Sequence, residues 1–223
     1  MAMSDDQPFI LAISSITGGV GCTTLCLGLS WLMGEAGRRV SIVDPSAFGD
    51  AERLAQGVDG RCSWKNVQVI RAVRNNIRLS AQDEVTFLDA NPLGDSFCGS
   101  WIEHADALVL VSGSDVASLR GLARASVAVR RLRQRRPALQ FVGVVLSECR
   151  GPFRRELLEL VASDQLVFSA SYPWLRELRD WPIRPGSPLP PTARVVFSTL
   201  LSELEQRTGS FRAHREEVIE RQP

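Results

Sequence analysis

The sequence predicts a single α/β domain with a mostly parallel, twisted β-sheet and helices on both of its faces. Three observations lead there. Short apolar runs alternate with stretches of helical periodicity along most of the chain. Most of those runs are apolar along their whole length, not on every second residue, as strands buried on both faces must be. The first of them also leads straight into a glycine-rich turn that opens a helix, Thr17-Gly18-Gly19-Val20-Gly21-Cys22-Thr23-Thr24.

Residues 9–14 (FILAIS) read as the first buried strand, and 16–20 as its turn. Leu25, Leu29, Leu32 and Met33 recur at helical spacing, predicting a helix over 22–36 that Gly37 ends. A second strand covers 40–43 and stops at Asp44, and a short helix follows over 50–56. Between 57 and 82 the pattern is weaker, with short strands expected at 67–70 and 77–79. Strands at 85–88, ending on Asp89, and at 107–111 are clear. A helix over about 114–136, a strand over 141–146, a helix over 152–162 and a short strand over 166–168 come next. The proline-rich stretch 187–191 must be a loop, and 192–207 a last helix packed on the core. The division expected is an N-terminal tail over 1–8, one domain over 9–208 and a charged tail over 209–223.

The bulk numbers agree with one domain. The chain has 223 residues, 44% of them hydrophobic, which is enough for a sizeable core. Its net charge of +1 gives no global attraction to nucleic acid or to an acidic membrane. No apolar run has the length of a membrane span, and the opening MAMSDDQPF lacks the basic-then-apolar pattern of a signal peptide, so a cytoplasmic protein is expected. Cys22, Cys26, Cys62, Cys98 and Cys149 form no CxxC pair, and only His104 and His214 offer imidazoles. Free thiols in the interior are expected, not a zinc site.

The chemistry centres on the glycine turn. Glycines at 18, 19 and 21 let the backbone bend so that its N–H groups point inward, and the following helix aims its positive end at the same place. A phosphate is the natural ligand of such a loop, although a turn that merely joins strand to helix has the same composition. Thr23 stands where a hydroxyl would reach Mg²⁺.

These residues resemble the MinD/ParA-like family of P-loop ATPases. GGVGCTT is similar to that family's deviant P-loop, KGGxGKTT. Gly37 and the stretch VSIVD at 40–44 resemble its second strand with a terminal aspartate. VTFLDAN at 85–91, with Pro92 and Gly94 in the turn, resembles the strand that ends in the magnesium-associated aspartate. Residues 105–119 and 141–146 continue the match, which covers roughly 9–204. The resemblance implies that Gly18, Gly19, Val20, Gly21, Cys22, Thr23 and Thr24 cradle ATP or ADP, with Ser147 where the family usually places an asparagine against the base. It also implies that Asp44 positions the attacking water and that Thr23 and Asp89 serve Mg²⁺. Helix capping is the alternative for both aspartates.

The departures are equally informative. Thr17 takes the place of the signature lysine that reaches across a dimer, and Cys22 that of the lysine on the β- and γ-phosphates. Ser46 replaces a second acid. Each lysine would supply a charge-assisted hydrogen bond of roughly 1.5–3 kcal/mol. Losing both implies weak nucleotide binding and little or no hydrolysis. Subgroups with lysine-poor loops resemble this chain best: CpaE/TadZ-like proteins carry GGxGxST-type loops, and BcsQ-like proteins are another relative built on this minimal domain. A degenerate ATPase is therefore expected, serving as a scaffold or recruitment factor for a pilus, secretion or polysaccharide-export machine. The partner is another protein of that machine, a lysine-bearing relative or a second copy. The alternative is a slow ATP-dependent dimerising switch that partitions or positions cargo, with DNA as one place where it could do so.

Three further features bear on function. Arg120, Arg124, Arg131 and Arg135 fall on one helical face, opposite Leu119, Leu122, Val129 and Leu132; a solvated face is preferred to a DNA-binding one because no aromatic residue is interleaved for base stacking. Tyr172, Trp174 and Trp181 flank the proline-rich loop and are candidates for a partner surface, with core packing the alternative. The tail after residue 210 carries only Phe211, Val218 and Ile219 as large apolar residues, too few for an interfacial membrane helix.

Overall fold

The computed structural model describes residues 8–46, 49–56, 64–72, 79, 83–90, 92–93, 101–113, 115–147, 167–168, 171, 177–178, 181 and 187–209. Strand β1 (Phe9–Ser15) leads into helix α1 (Cys22–Glu35), then β2 (Val40–Asp44), α2 (Asp50–Gln56), β3 (Val67–Arg71) and β4 (Val85–Asp89). Strand β5 (Ala107–Gly113), helix α3 (Val116–Arg135), β6 (Gln140–Ser147) and helix α4 (Pro191–Thr208) complete the described elements. Most boundaries fall within one or two residues of those expected. The expected strand at 77–79 and helix at 152–162 lie wholly or mostly outside the described residues, as does the tail beyond 209, and Leu79 has no regular structure. Of the short strand expected at 166–168, residue 166 lies outside the described residues, and Val167 makes a parallel bridge to Val144.

The six strands form one sheet in the order β3-β2-β4-β1-β5-β6, and every pairing is parallel. Every residue of β1, β2, β4 and β5 is buried, which is why their sequences are apolar without alternation. Successive side chains feed two cores. Leu11, Ile13, Phe87 and Val109 pack against α1, α2 and α4 through Leu25, Leu29, Ala51, Ala55 and Phe197. Ile10, Ala12, Leu88 and Leu108 meet Trp101, Ile102 and the Ala125–Val129 side of α3 on the other face. The arginine face of α3 is exposed at positions 120, 124, 131 and 135.

The helix ends are set locally. Arg38 N donates to Met33 O and Gly37 N to Gly34 O, the paired bonds of a Schellman end, with Gly37 in the left-handed region at φ 86°. Arg38 then bridges Glu84 at 2.8 Å and Glu205 at 2.5 Å, joining the end of α1 to the start of β4 and to α4. At the far edge, β6 carries an irregularity: Leu108 pairs with Phe141 but Val109 pairs with Gly143, whose φ is 145°. Arg207 holds this edge by donating to Val142 O at 3.1 Å and Val167 O at 2.6 Å, with its guanidinium over the Phe168 ring.

The carboxyl ends of all six strands share one edge, and the strand order reverses direction at β1. In open parallel sheets that combination leaves a ligand crevice beyond the strand ends.

The tightest approach of α1 to its neighbours also yields a test. A Cβ on Gly34 of α1 would sit 2.5 Å from the carbonyl oxygen of Lys65 and 2.6 Å from Val67 Cγ2. A backbone oxygen cannot rotate away. Gly34→Ala is therefore expected to lower unfolding free energy by roughly 1–3 kcal/mol in a urea titration, despite the ~1 kcal/mol that alanine gains in a helix interior. A stabilised variant would mean that α1 does not lie this close to the segment before β3.

Candidate functional site

The crevice is built outward from β1. Gly19 and Gly21 hold φ of 78° and 94°, a region that side chains other than glycine's rarely adopt. Gly21 is also the N-cap of α1, without a side-chain cap, and the first turn of the helix contains no acid. The positive end of α1 therefore faces the crevice uncompensated by its own first turn. A Cβ on Gly18 or Gly19 would meet nothing within 4 Å, so this stretch of loop is open on its outer side. Beneath it, Ser15 Oγ donates to Thr17 O at 2.8 Å and Ser147 Oγ donates to Val20 O.

Thr23, in the first turn of α1, donates through Oγ1 to Asp89 Oδ2 at 2.7 Å. Asp89 reaches that position because β4 runs beside β1, with Ile13 opposite Asp89. The turn after it is stitched back to the same strand by Ala90 N to Ile13 O at 2.9 Å and Leu93 N to Ser15 O at 2.7 Å. Burial pushes the Asp89 carboxyl up from 3.8 to about 7; the Thr23 hydroxyl opposes that shift, and the charges of Asp44 and Asp50 add to it. Cys26, one turn along α1, is fully buried, and burial pushes its thiol well above its ordinary range, so it stays protonated beside Asp89. Neither Cys22 nor Cys26 is in a disulfide; Cys22 is half-buried. Cys62, Cys98 and Cys149 lie outside the described residues.

A cleft of about 450 Å³ opens over these groups, a size suited to a nucleotide. One wall is the loop from Gly18 to Thr24 with Ser15 and Asp89; the other is Ser46 with Asp50, Arg53 and Leu54 of α2.

The structure thus brings together Gly18, Gly19, Val20, Gly21, Cys22, Thr23, Thr24 and Asp89. It places the remaining candidates elsewhere. Asp44 is fully buried and serves as a cap: Oδ1 accepts from Ser46 N at 2.8 Å and Oδ2 from Ala51 N at 2.7 Å. It does not line the cleft. Ser147 is also fully buried and supports the loop from below through its bond to Val20 O. Trp181 is a correction to the expected partner surface. Its ring is 4% exposed, stacks on Trp64 at 5.2 Å between centroids and donates Nε1–H to Ser187 O at 3.2 Å, because a large apolar ring gains most by entering the core. Tyr172 and Trp174 lie outside the described residues. Sequence reasoning missed Asp50 and Arg53, although the helix read over 50–56 and the i,i+3 spacing within it place the two on one face.

No protein-family model matches the sequence, and no curated protein matches it. Solved structures do match the fold. The MinD cell division protein of Aquifex aeolicus superposes with a TM-score of 0.68, covering 91% of this chain and 98% of its own, at 14% identity. A Cyanothece McdA variant in complex with ATP gives 0.71, covering 91% and 97%, at 13% identity. Cobyrinic acid a,c-diamide synthase from Mycobacterium smegmatis, solved with bound ADP and magnesium, gives 0.65, covering 92% and 97%, at 17% identity. The chain has the MinD/ParA-type P-loop fold. The residues present fit the magnesium nucleotide that this fold carries elsewhere: an open glycine loop, an uncompensated helix end, and a hydroxyl already paired with a buried carboxylate.

Among the described residues no helix is long and apolar enough to cross a membrane.

Asp89 gives a test in magnesium-free buffer. The folded state holds its proton up to about pH 7, whereas the unfolded chain releases it near 3.8. Between those values the folded state binds more protons, so this group's contribution lowers stability as pH rises through the window. Asp89→Asn removes that penalty. It is expected to be more stable than the parent by roughly 2–4 kcal/mol at pH 8, at about 1.4 kcal/mol per pKa unit, with the gap closing toward pH 4. Urea titrations across that range check it, and a gap independent of pH contradicts the assignment.

Proposed function

We propose that this chain is a degenerate MinD/ParA-like protein that binds ATP or ADP with Mg²⁺ weakly, turns it over slowly or not at all, and works by protein–protein contacts. The reading is carried by one contrast. The Thr23–Asp89 pair and the open glycine loop are in place, while Thr17 and Cys22 occupy the positions where the resemblance expects lysine. Loop N–H groups and the N-terminus of α1 would hold the phosphates, and Thr23 and Asp89 would hold Mg²⁺, which when bound neutralises phosphate charge. Without the two lysines the glycine loop supplies no side-chain cation to offset charge developing on the transferred phosphate, so binding outlasts catalysis.

The role then falls on recruitment. A MinC:MinD complex of Aquifex aeolicus shows a protein of this fold bound to another protein. The lysine-poor loop supports the narrower kinship with CpaE/TadZ-like or BcsQ-like proteins, and with it a place in a pilus, secretion or polysaccharide-export machine on the cytoplasmic side of the membrane. The partner is a component of that machine, a lysine-bearing relative or a second copy of this chain.

Calorimetric titration with Mg·ATP and Mg·ADP, together with a phosphate-release assay, tests the first half. Binding in the high-micromolar to millimolar range, abolished by Thr23→Ala with Asp89→Ala, is expected, with phosphate release indistinguishable from buffer. Turnover at the rate of a lysine-bearing relative assayed alongside sinks the degenerate reading. Co-purification from the native cell tests the second half: a stable envelope-machine component is expected on the wild-type chain.

A further inference from the structure

We infer that Arg53 is the cation that meets the nucleotide's phosphates in place of the lysines missing from the loop, an inference that rests on the nucleotide reading above. Among the described residues that line the cleft, Arg53 is the one with positive charge, and it stands on the α2 wall across from the glycine loop. The same cleft contains the carboxylates of Asp50 and Asp89, with Asp44 buried behind them. Asp50 opposes an anionic ligand entering the cleft unless a cation offsets it.

The root of Arg53 is fixed while its head is free to move. Asp44 accepts from Ala51 N, and Ser46 Oγ accepts from Gly49 N at 3.0 Å and Asp50 N at 3.2 Å, so the start of α2 is tied down at several points. Arg53 N donates to Gly49 O at 2.9 Å, and Ala51 and Ala55 on the inner side of the helix are fully buried. The guanidinium, by contrast, is 70% exposed and pairs with Asp50, itself 47% exposed, at 2.6 Å. An exposed pair three residues apart on a helix holds weakly. A phosphate offers the guanidinium two acceptor oxygens and a larger charge, a better partner than a solvated carboxylate. Asp50 thus parks Arg53 at the mouth of the cleft, and phosphate takes it over.

The test measures Mg·ATP affinity by calorimetry on the full chain and on the variants Arg53→Ala, Arg53→Gln, Arg53→Lys, Cys22→Lys and Cys22→Lys with Arg53→Ala. Arg53→Ala and Arg53→Gln are expected to weaken binding roughly 10- to 100-fold, and Arg53→Lys to retain most of it. Melting temperatures should stay at the parental value, because the side chain is exposed. Returning a lysine to the loop should make the arginine redundant: Arg53→Ala should cost little in the Cys22→Lys background. Two results overturn the inference while leaving the nucleotide reading intact: parental affinity in Arg53→Ala and Arg53→Gln, or a loss that comes with a matching fall in melting temperature and is not rescued by Arg53→Lys. Failure of the wild-type chain to bind Mg·ATP at millimolar concentration removes the nucleotide reading and the inference together.

Discussion

The pairing of β1 with β4 is the constraint on which the cleft depends. Ile13 lies opposite Asp89 in a parallel register, and the turn beyond Asp89 is bonded back to Ile13 and Ser15. That places a carboxylate beside the first turn of the helix that β1 itself launches, so the Thr23 hydroxyl finds it at 2.7 Å. A register slip of one residue would turn Asp89 to the opposite face of the sheet and leave Thr23 without its partner. The cost of holding a carboxyl there is visible in its raised pKa; on the proposed reading the gain is a preformed position for a divalent cation, whose charge would reverse the local preference for the proton.

Features that obey short-range rules were legible from the chain alone. The fully apolar runs at 9–14, 40–43, 85–88 and 107–111 are strands buried on both faces, and the sheet is parallel throughout. Gly37 ends α1 by a motif that needs only local bonds, and the glycines at 19 and 21 sit in the left-handed turns for which a glycine is suited. Features that depend on where a side chain points after the chain has come round were not legible. An aspartate at the end of a parallel strand is equally suited to a water, a metal or a helix N-terminus, and Asp44 serves the helix because α2 begins within reach of both its oxygens. A tryptophan near a proline-rich loop is equally suited to a surface or a core, and Trp181 is in the core because Trp64 provides a ring to stack on. Arg53 carries no motif; only the folded cleft shows which wall it stands on.

On the reading proposed above, the loop is a case of geometry outlasting chemistry. Its glycines, the buried strand before it and the support under Val20 are requirements of the backbone, and they hold whatever residue stands at 17 or 22. Solved proteins of 13 to 17% identity share the whole fold on that basis. The lysine positions carry no such structural burden, and a half-buried cysteine and a threonine fit them without disturbing the path of the chain.

The extra residue in β6 has a consequence for this durability. On either side of Gly143 the strand keeps its alternation, with Val142 and Val145 in one core and Val144 and Leu146 in the other. The bulge therefore inverts the parity of every position after it, and Ser147 is the last of those positions. Its hydroxyl meets the carbonyl of Val20 from a place opposite Gly113. A single-residue deletion between the bulge and Ser147, far from the cleft in sequence, would turn that prop to the α3 side and leave the glycine loop unsupported from below, whereas loss of the extra residue itself would leave a regular strand with Ser147 still opposite Gly113. The spacing from the bulge to Ser147 is thus part of the specification of the loop.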